Sequence, residues 1–157
     1  MTTTAAVGFT DDQIDLRLPT RDVPLKWVVV VDADLPAGRA VNAAVCVATA
    51  TQALVPGLRG PDAVDADGSV HPGLPWLGCS VLGAGTARLA TLRARAAEDP
   101  SIVVTDMPTQ AQHTRVYADY LDAVAGCRSS TLDYCAVGVV GPRAAVDRLT
   151  KGLRLLP

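Results

Sequence analysis

Hydrophobic and polar positions along this chain switch repeatedly between a strand rhythm and a helix rhythm. "KWVVVV" at 26–31 is an unbroken β-branched run, the pattern of a strand covered on both faces, as in a parallel α/β sheet. "RAVNAAVCVATATQAL" at 39–54 follows; it is small all along and reads as a buried helix lying close to that sheet. "WLGCSVL" at 76–82 supplies a second strand. Thr86 then caps a helix to about residue 97, with Leu89, Leu92 and Ala96 on its inner face and Arg88, Arg93 and Arg95 directed away. "SIVVTD" at 101–106 is a third strand. Thr109 and Gln112 match a capping box, and Val116, Tyr120 and Ala123 repeat at helical spacing behind it. "LDYCAVGVVG" at 132–141 is a fourth strand, and Pro142 opens a last helix in which Asp147 and Lys151 stand four apart and can pair. Strand and helix alternate four times, which gives one layered α/β domain over residues 25–157.

Three segments fall outside this rhythm. Residues 1–24 read as a polar arm, in which "QIDLRL" alternates and is a candidate edge strand. Residues 56–76 are dense in Pro, Gly and Asp, with a hairpin expected at Asp67-Gly68. Connections of that length are usually functional or mobile. "LRLLP" at 153–157 is a second candidate edge strand.

Composition narrows the function classes. With 157 residues, 49% apolar and only 19% charged, the chain suits a single globular core and not a disordered segment. The apolar content is mostly Ala and Val, so the core is expected to bring backbones close together. A net charge of −2 with scattered arginines shows no basic stripe. Extended nucleic-acid contact is therefore not expected, although a local pocket for one phosphate or one RNA end remains open. The four cysteines form no CxxC pair and there are two histidines, so reduced thiols acting as small hydrophobes are expected and a structural zinc site is not. "GAG" at 83–85 lacks the third glycine of a dinucleotide fingerprint, and no P-loop is present, so no cofactor is expected. No signal peptide and no membrane-length apolar run is seen, and a cytoplasmic protein is expected.

Candidate chemistry gathers where the strands end, because open α/β sheets bind ligands outside their carboxyl ends. Asp32, Asp34 and Arg39 follow the first strand, Gly83, Gly85 and Thr86 the second, and Thr105, Asp106 and Thr109 the third. If those three strands are parallel, the groups meet at one rim. Arg39 stands in a helix's first turn, against the macrodipole. It is read either as a partner of Asp34 or Asp32, or as a clamp for an anionic or carbonyl-bearing ligand. Asp106 either orders its turn or acts as a base. Thr109 is read as a cap or a nucleophile. Asn42, an amide on an apolar helix, needs a buried partner in a loop or a ligand. His71 lies on the 56–76 loop, either idle or reaching the site as part of a lid.

Three long motifs, "KWVVVVDADLPAGRAVNAAV", "DADGSVHPGLPWLGCSVL" and "VVGPRAAVDRLTKGLRLLP", resemble the bacterial family called "domain of unknown function 2000" from about Leu25 onward. That family in turn looks like the peptidyl-tRNA hydrolase type II fold, which implies a four-stranded mixed, mostly parallel sheet flanked by helices. Asp34-Leu35 with Gly38-Arg39, "DMPTQ" at 106–110 and "GPRAAVDRLTKGLRLL" are similar to the three stretches that mark those hydrolases. Arg39 takes the place of their lysine, Ala43 and Cys46 the places of a glutamine and a histidine, and Pro108 that of a glycine. Arginine stays charged and clamps anions but does not serve as a base. The resemblance therefore implies a hydrolase or transferase acting on a small acyl or aminoacyl ester or amide. Arg39 would hold the anion or carbonyl, Asp106 would orient water, and Thr109 or Asn42 would position the substrate. The alternatives are a non-catalytic module binding a small molecule or a protein, and a true peptidyl-tRNA hydrolase. Type II hydrolases are often dimeric, so the resemblance also implies a homodimer.

Overall fold

The computed structural model describes residues 7–157. The valine run forms β1 (Leu25–Asp32), followed by α1 (Ala37–Leu54), the hairpin β2 (Ala63–Val64) and β3 (Val70–His71), and β4 (Ser80–Ala84). Next come α2 (Thr86–Glu98), β5 (Val103–Pro108), α3 (Gln110–His113), α4 (Tyr117–Ala125), β6 (Tyr134–Pro142), α5 (Arg143–Leu149) and β7 (Arg154–Leu155). The main sheet has the order β5-β6-β1-β4-β7. β1 pairs parallel with β4, while β6 lies antiparallel between β1 and β5. Thus β1, β4 and β5 all point the same way, as the rim argument required, and only β6 and β7 are reversed.

The sheet has five strands, not four. The additional strand is β7, whose two residues pair Leu82 with Leu155 and Gly83 with Arg154. It lies within "LRLLP", the candidate edge strand at 153–157, and takes the edge of the sheet beside β4.

Every side chain from Trp27 to Val31 is buried, because helices cover both faces of β1. One cluster joins Trp27, Val29 and Val31 to Ala40, Ala43 and Val47 of α1. The other joins Val28 and Val30 to Leu89, Leu92 and Ala96 of α2 and Ala145 and Val146 of α5. The small-residue core works through close approach. At Gly138 of β6, an added Cβ would lie 2.5 Å from Thr105 Oγ1 and 2.6 Å from Val47 Cγ1. The helix α1 thus lies almost on the β6 backbone. A buried hydrogen bond of 2.8 Å between the hydroxyls of Thr51 (α1) and Thr105 (β5) fixes it there.

Several expectations need correction. "QIDLRL" adds no strand: Asp11–Gln13 and Thr20–Asp22 are single 3₁₀ turns. The described part of the arm docks on the loop instead. Phe9 donates its N–H to the Pro56 carbonyl and packs its ring at a tilt against Trp76, with centroids 4.7 Å apart. The second strand begins at Ser80, because Trp76 is held to Gly57 O through its indole N–H and the chain turns at Gly78, with φ +74°. The hairpin at Asp67-Gly68 is present, with Gly68 at φ +87°. Asp147 pairs with Lys26 of β1 at 2.6 Å and not with Lys151. Arg93 does not point away, as its ion pair shows below. α1 is not buried all round: Ala40, Ala43, Val47 and Thr51 face the sheet, whereas Val41 and Val45 are 61% and 58% exposed.

Candidate functional site

The carboxyl ends of β1, β4 and β5 do lie along one rim, but their side chains divide between the two faces of the sheet. Asp106 projects to the α2 face, where Arg93 Nε donates to its Oδ2 at 3.0 Å. This contact holds the Arg93 guanidinium charged more firmly than usual. The guanidinium also lies 5.9 Å from the centre of the Tyr134 ring. Tyr134 reaches that face through an irregularity. Met107 pairs with Ala136 and Pro108 with Tyr134, so the register skips Cys135, a β-bulge that leaves Cys135 and Ala136 on the α1 face and so turns Tyr134 to the α2 face. Burial raises the Tyr134 phenol above its ordinary pKa; Arg93 opposes the shift, and Asp106 adds to it. Tyr120 of α4 is raised as well, by burial first, then by Tyr117 and Asp106.

Arg39 lies on the opposite face, exposed in the first turn of α1, and makes no ion pair among the described residues. Its backbone carbonyl accepts the Gln112 side-chain amide at 2.9 Å. Below it is the buried Cys135 thiol, raised mainly by burial and further by Asp32, and lowered by Arg39. Asp32 accepts the Asp34 N–H at 3.1 Å and lies 3.4 Å from the Thr86 hydroxyl. Neither Asp32 nor Asp34 pairs with Arg39. Arg39 and Asp106 thus share one rim, but Arg39 stands on the helix that covers one face while Asp106 is tied to the helix on the other, and the two make no ion pair.

The other expected site residues scatter. Asn42 is exposed, so its amide needs no buried partner. Gly83 lies inside β4, not in the turn after it, with Leu156 and Ala33 packed against its backbone. Thr109 adopts helical geometry without capping α3 through its side chain, and its hydroxyl lies 3.4 Å from Gln110 Oε1. His71 sits exposed on β3, 3.4 Å from Asp65, within the hairpin and away from the rim. No group of three or more His, Cys, Asp or Glu among the described residues is arranged to hold a metal.

Concave surface lies elsewhere. α1 packs over β1, β6 and β5, leaving the same face of β4 uncovered by a helix. A groove of about 390 Å³ runs there between Val41, Ala44, Val45 and Ala48 of α1 and Val81 of β4, floored by Val29 and closed by Leu156. At its far end Trp27 and Cys79 also line a second cleft, of about 360 Å³, at the amino ends of β1 and β4. This cleft is polar, with Thr20, Arg21, Lys26, Ser80 and Arg143 in its wall. Arg143 meets no carboxylate among the described residues; it donates to the carbonyls of Thr20 and Val23 at 2.8 and 3.2 Å. Lys26 is shared with Asp147 at 2.6 Å, and Arg21 lies 3.9 Å from Asp22. The Trp27 indole N–H is buried with no acceptor among the described residues. Cys79 is reachable from solvent, yet the surrounding protein pushes its thiol up to about 11.

The sequence carried one signal for this groove. Val41 and Val45 form a second apolar stripe beside Ala40, Ala43 and Val47, and a helix apolar on more than one side needs cover on more than one side. The basic cleft had no comparable signal, since its residues come from four separate segments.

Fold and concavities together define a mixed α/β protein with an open groove on one face of the sheet. The chain belongs to the family described as protein of unknown function (DUF2000), whose model matches residues 25–157. It is also similar in structure to a protein of unknown function from Agrobacterium tumefaciens, with a TM-score of 0.78 at 20% identity, over 84% of this chain and 97% of that one. That likeness concerns the fold. No curated protein matches the chain. No helix among the described residues is long and apolar enough to cross a membrane.

Proposed function

We propose that this chain is a non-catalytic small-molecule binding protein whose ligand occupies the apolar groove between α1 and β4. One observation carries the reading: a helix with a complete buried stripe still presents Val41 and Val45 to a groove of about 390 Å³. Ligand sites are typically concave, mostly apolar and roughly 300–1,000 Å³. An exposed apolar surface with no internal cover is where a partner binds.

The hydrolase reading, built on a peptidyl-tRNA hydrolase type II-like scaffold, draws less support. It needs Asp106 and Arg39 on one substrate, and they lie on opposite faces with Asp106 already paired to Arg93. A general base must come within hydrogen-bonding reach of the proton it takes.

Nile red, a neutral dye whose emission shifts to the blue in apolar surroundings, tests the groove. Wild type shifts the dye and Val45→Asp does not, while the variant keeps its circular dichroism spectrum. Equal shifts from both proteins, or none from wild type, end the reading.

A further inference from the structure

The groove and the basic cleft meet at Trp27 and Cys79, which line both. A ligand long enough to span them would meet only apolar side chains at one end and cations at the other. Arg143 brings a charge that no carboxylate among the described residues balances, and Lys26 and Arg21 stand in the same wall. Hydroxyl donors are present at Thr20 and Ser80. The second, independent sign is the Trp27 indole. It is 5% exposed, it lines both cavities, and its N–H has no acceptor among the described residues. A buried donor without a partner is destabilising, and a ligand oxygen that reached it at the junction would relieve it.

Resting on the proposed binding role, we infer that the two cavities form one site for an amphipathic anion. Its aliphatic chain lies along Val41, Val45 and Val81, and its carboxylate or phosphate head lies in the cleft formed by Arg21, Lys26 and Arg143. The apolar contact supplies affinity roughly in proportion to buried area. The cleft fixes the direction of the chain and selects against neutral and cationic heads. Charge-assisted hydrogen bonds from guanidinium groups suit planar carboxylates and phosphates alike.

The test uses decanoate, decyl phosphate and decanol, which share a chain and differ in head group. Trp76→Phe leaves Trp27 as the chain's one remaining indole, so its emission reports the junction directly. Both anions should change that emission and bind at least tenfold more tightly than decanol, and raised salt should erode the difference. Arg21→Glu, at a side chain 85% exposed, should cut anion binding several-fold and leave decanol unchanged. Val45→Asp should abolish all three. The relative strength of decanoate and decyl phosphate identifies the head group. If decanol binds as tightly as the anions and Arg21→Glu changes nothing, the amphipathic-anion site is overturned while the groove survives. If none of the three binds, the binding role falls with it. If wild type instead sediments as a dimer that Val45→Asp splits, and none binds, the groove is an interface between copies and both readings fall.

Discussion

The Thr51–Thr105 contact sets where α1 lies across the sheet, and its energetics can be worked out atom by atom. Thr51 Oγ1 lies 2.8 Å from the Val47 carbonyl and 2.8 Å from Thr105 Oγ1. Thr51 has one hydroxyl proton and spends it on Val47, so Thr105 must donate to Thr51. Both residues are buried. Thr51→Val keeps the shape but removes the acceptor, which strands the Thr105 proton. The cost is that of an unsatisfied buried donor, about 1–3 kcal/mol. Thr105→Val removes only the bond that Thr51 accepts, and the cost falls to about 0.5–1.5 kcal/mol, the net value of an ordinary hydrogen bond. The double variant leaves no stranded group and should be more stable than Thr51→Val alone. For a chain of this size the Thr51→Val loss lowers Tm by roughly 2–12 °C. Urea denaturation followed by circular dichroism measures all four proteins, with an unchanged slope as the control for an intact native state. A coupling energy of about 0.5–3 kcal/mol is expected. Strictly additive losses would refute the bond, and a larger loss for Thr105→Val than for Thr51→Val would refute the proton assignment.

Three further outcomes follow from the geometry. Gly138→Ala drives a methyl into Thr105 Oγ1 and Val47 Cγ1; denaturation should show a loss of about 1–3 kcal/mol, and a neutral result would mean that α1 does not press on β6. The Cys79 thiol, raised to about 11, should be only about one-thousandth thiolate at pH 8, so its alkylation, followed by peptide mass spectrometry, should keep accelerating well above that pH; a plateau near pH 9 contradicts the assignment. Asp99 accepts the hydroxyl and N–H of Ser101 at 2.6 and 2.9 Å, which hold its carboxyl below the ordinary 3.8. A depressed folded pKa gives stability that is present above 3.8 and lost as pH falls through the folded value. The Tm gap between wild type and Asp99→Ala should therefore close on acidification, and a gap that persists in acid would contradict the linkage.

The strands and the order of helices were legible because β-branched runs and helical spacing are local signals. The shared direction of β1, β4 and β5 was the condition of the rim argument, and the pairing of the strands meets it. What escaped the sequence was the face on which each side chain falls. Asp106 and Arg39 each lie next to the rim in sequence, but strand parity sends one to α2, while the other starts the helix on the opposite face. The bulge at Cys135 resets parity for Tyr134, and a single extra residue leaves no mark in composition or periodicity. Arg93 looked like a solvent-facing arginine because its partner is thirteen residues away and belongs to another element. The exposed stripe of α1 was misread as burial because small apolar residues look alike whether covered or bare. The arm's docking on Trp76 relies on ring packing that no alternating pattern encodes.

The short strand β7 has a consequence for how copies of this chain behave at high concentration. β4 is flanked on its outer side only by Arg154–Leu155, together with the bond from the Leu156 N–H to the Val81 carbonyl at 3.1 Å. That narrow strip occupies backbone groups which a bare outermost strand would offer to any extended peptide. Loosening it would turn β4 into a template for strand addition, so these three residues guard this edge of the sheet against edge-to-edge aggregation.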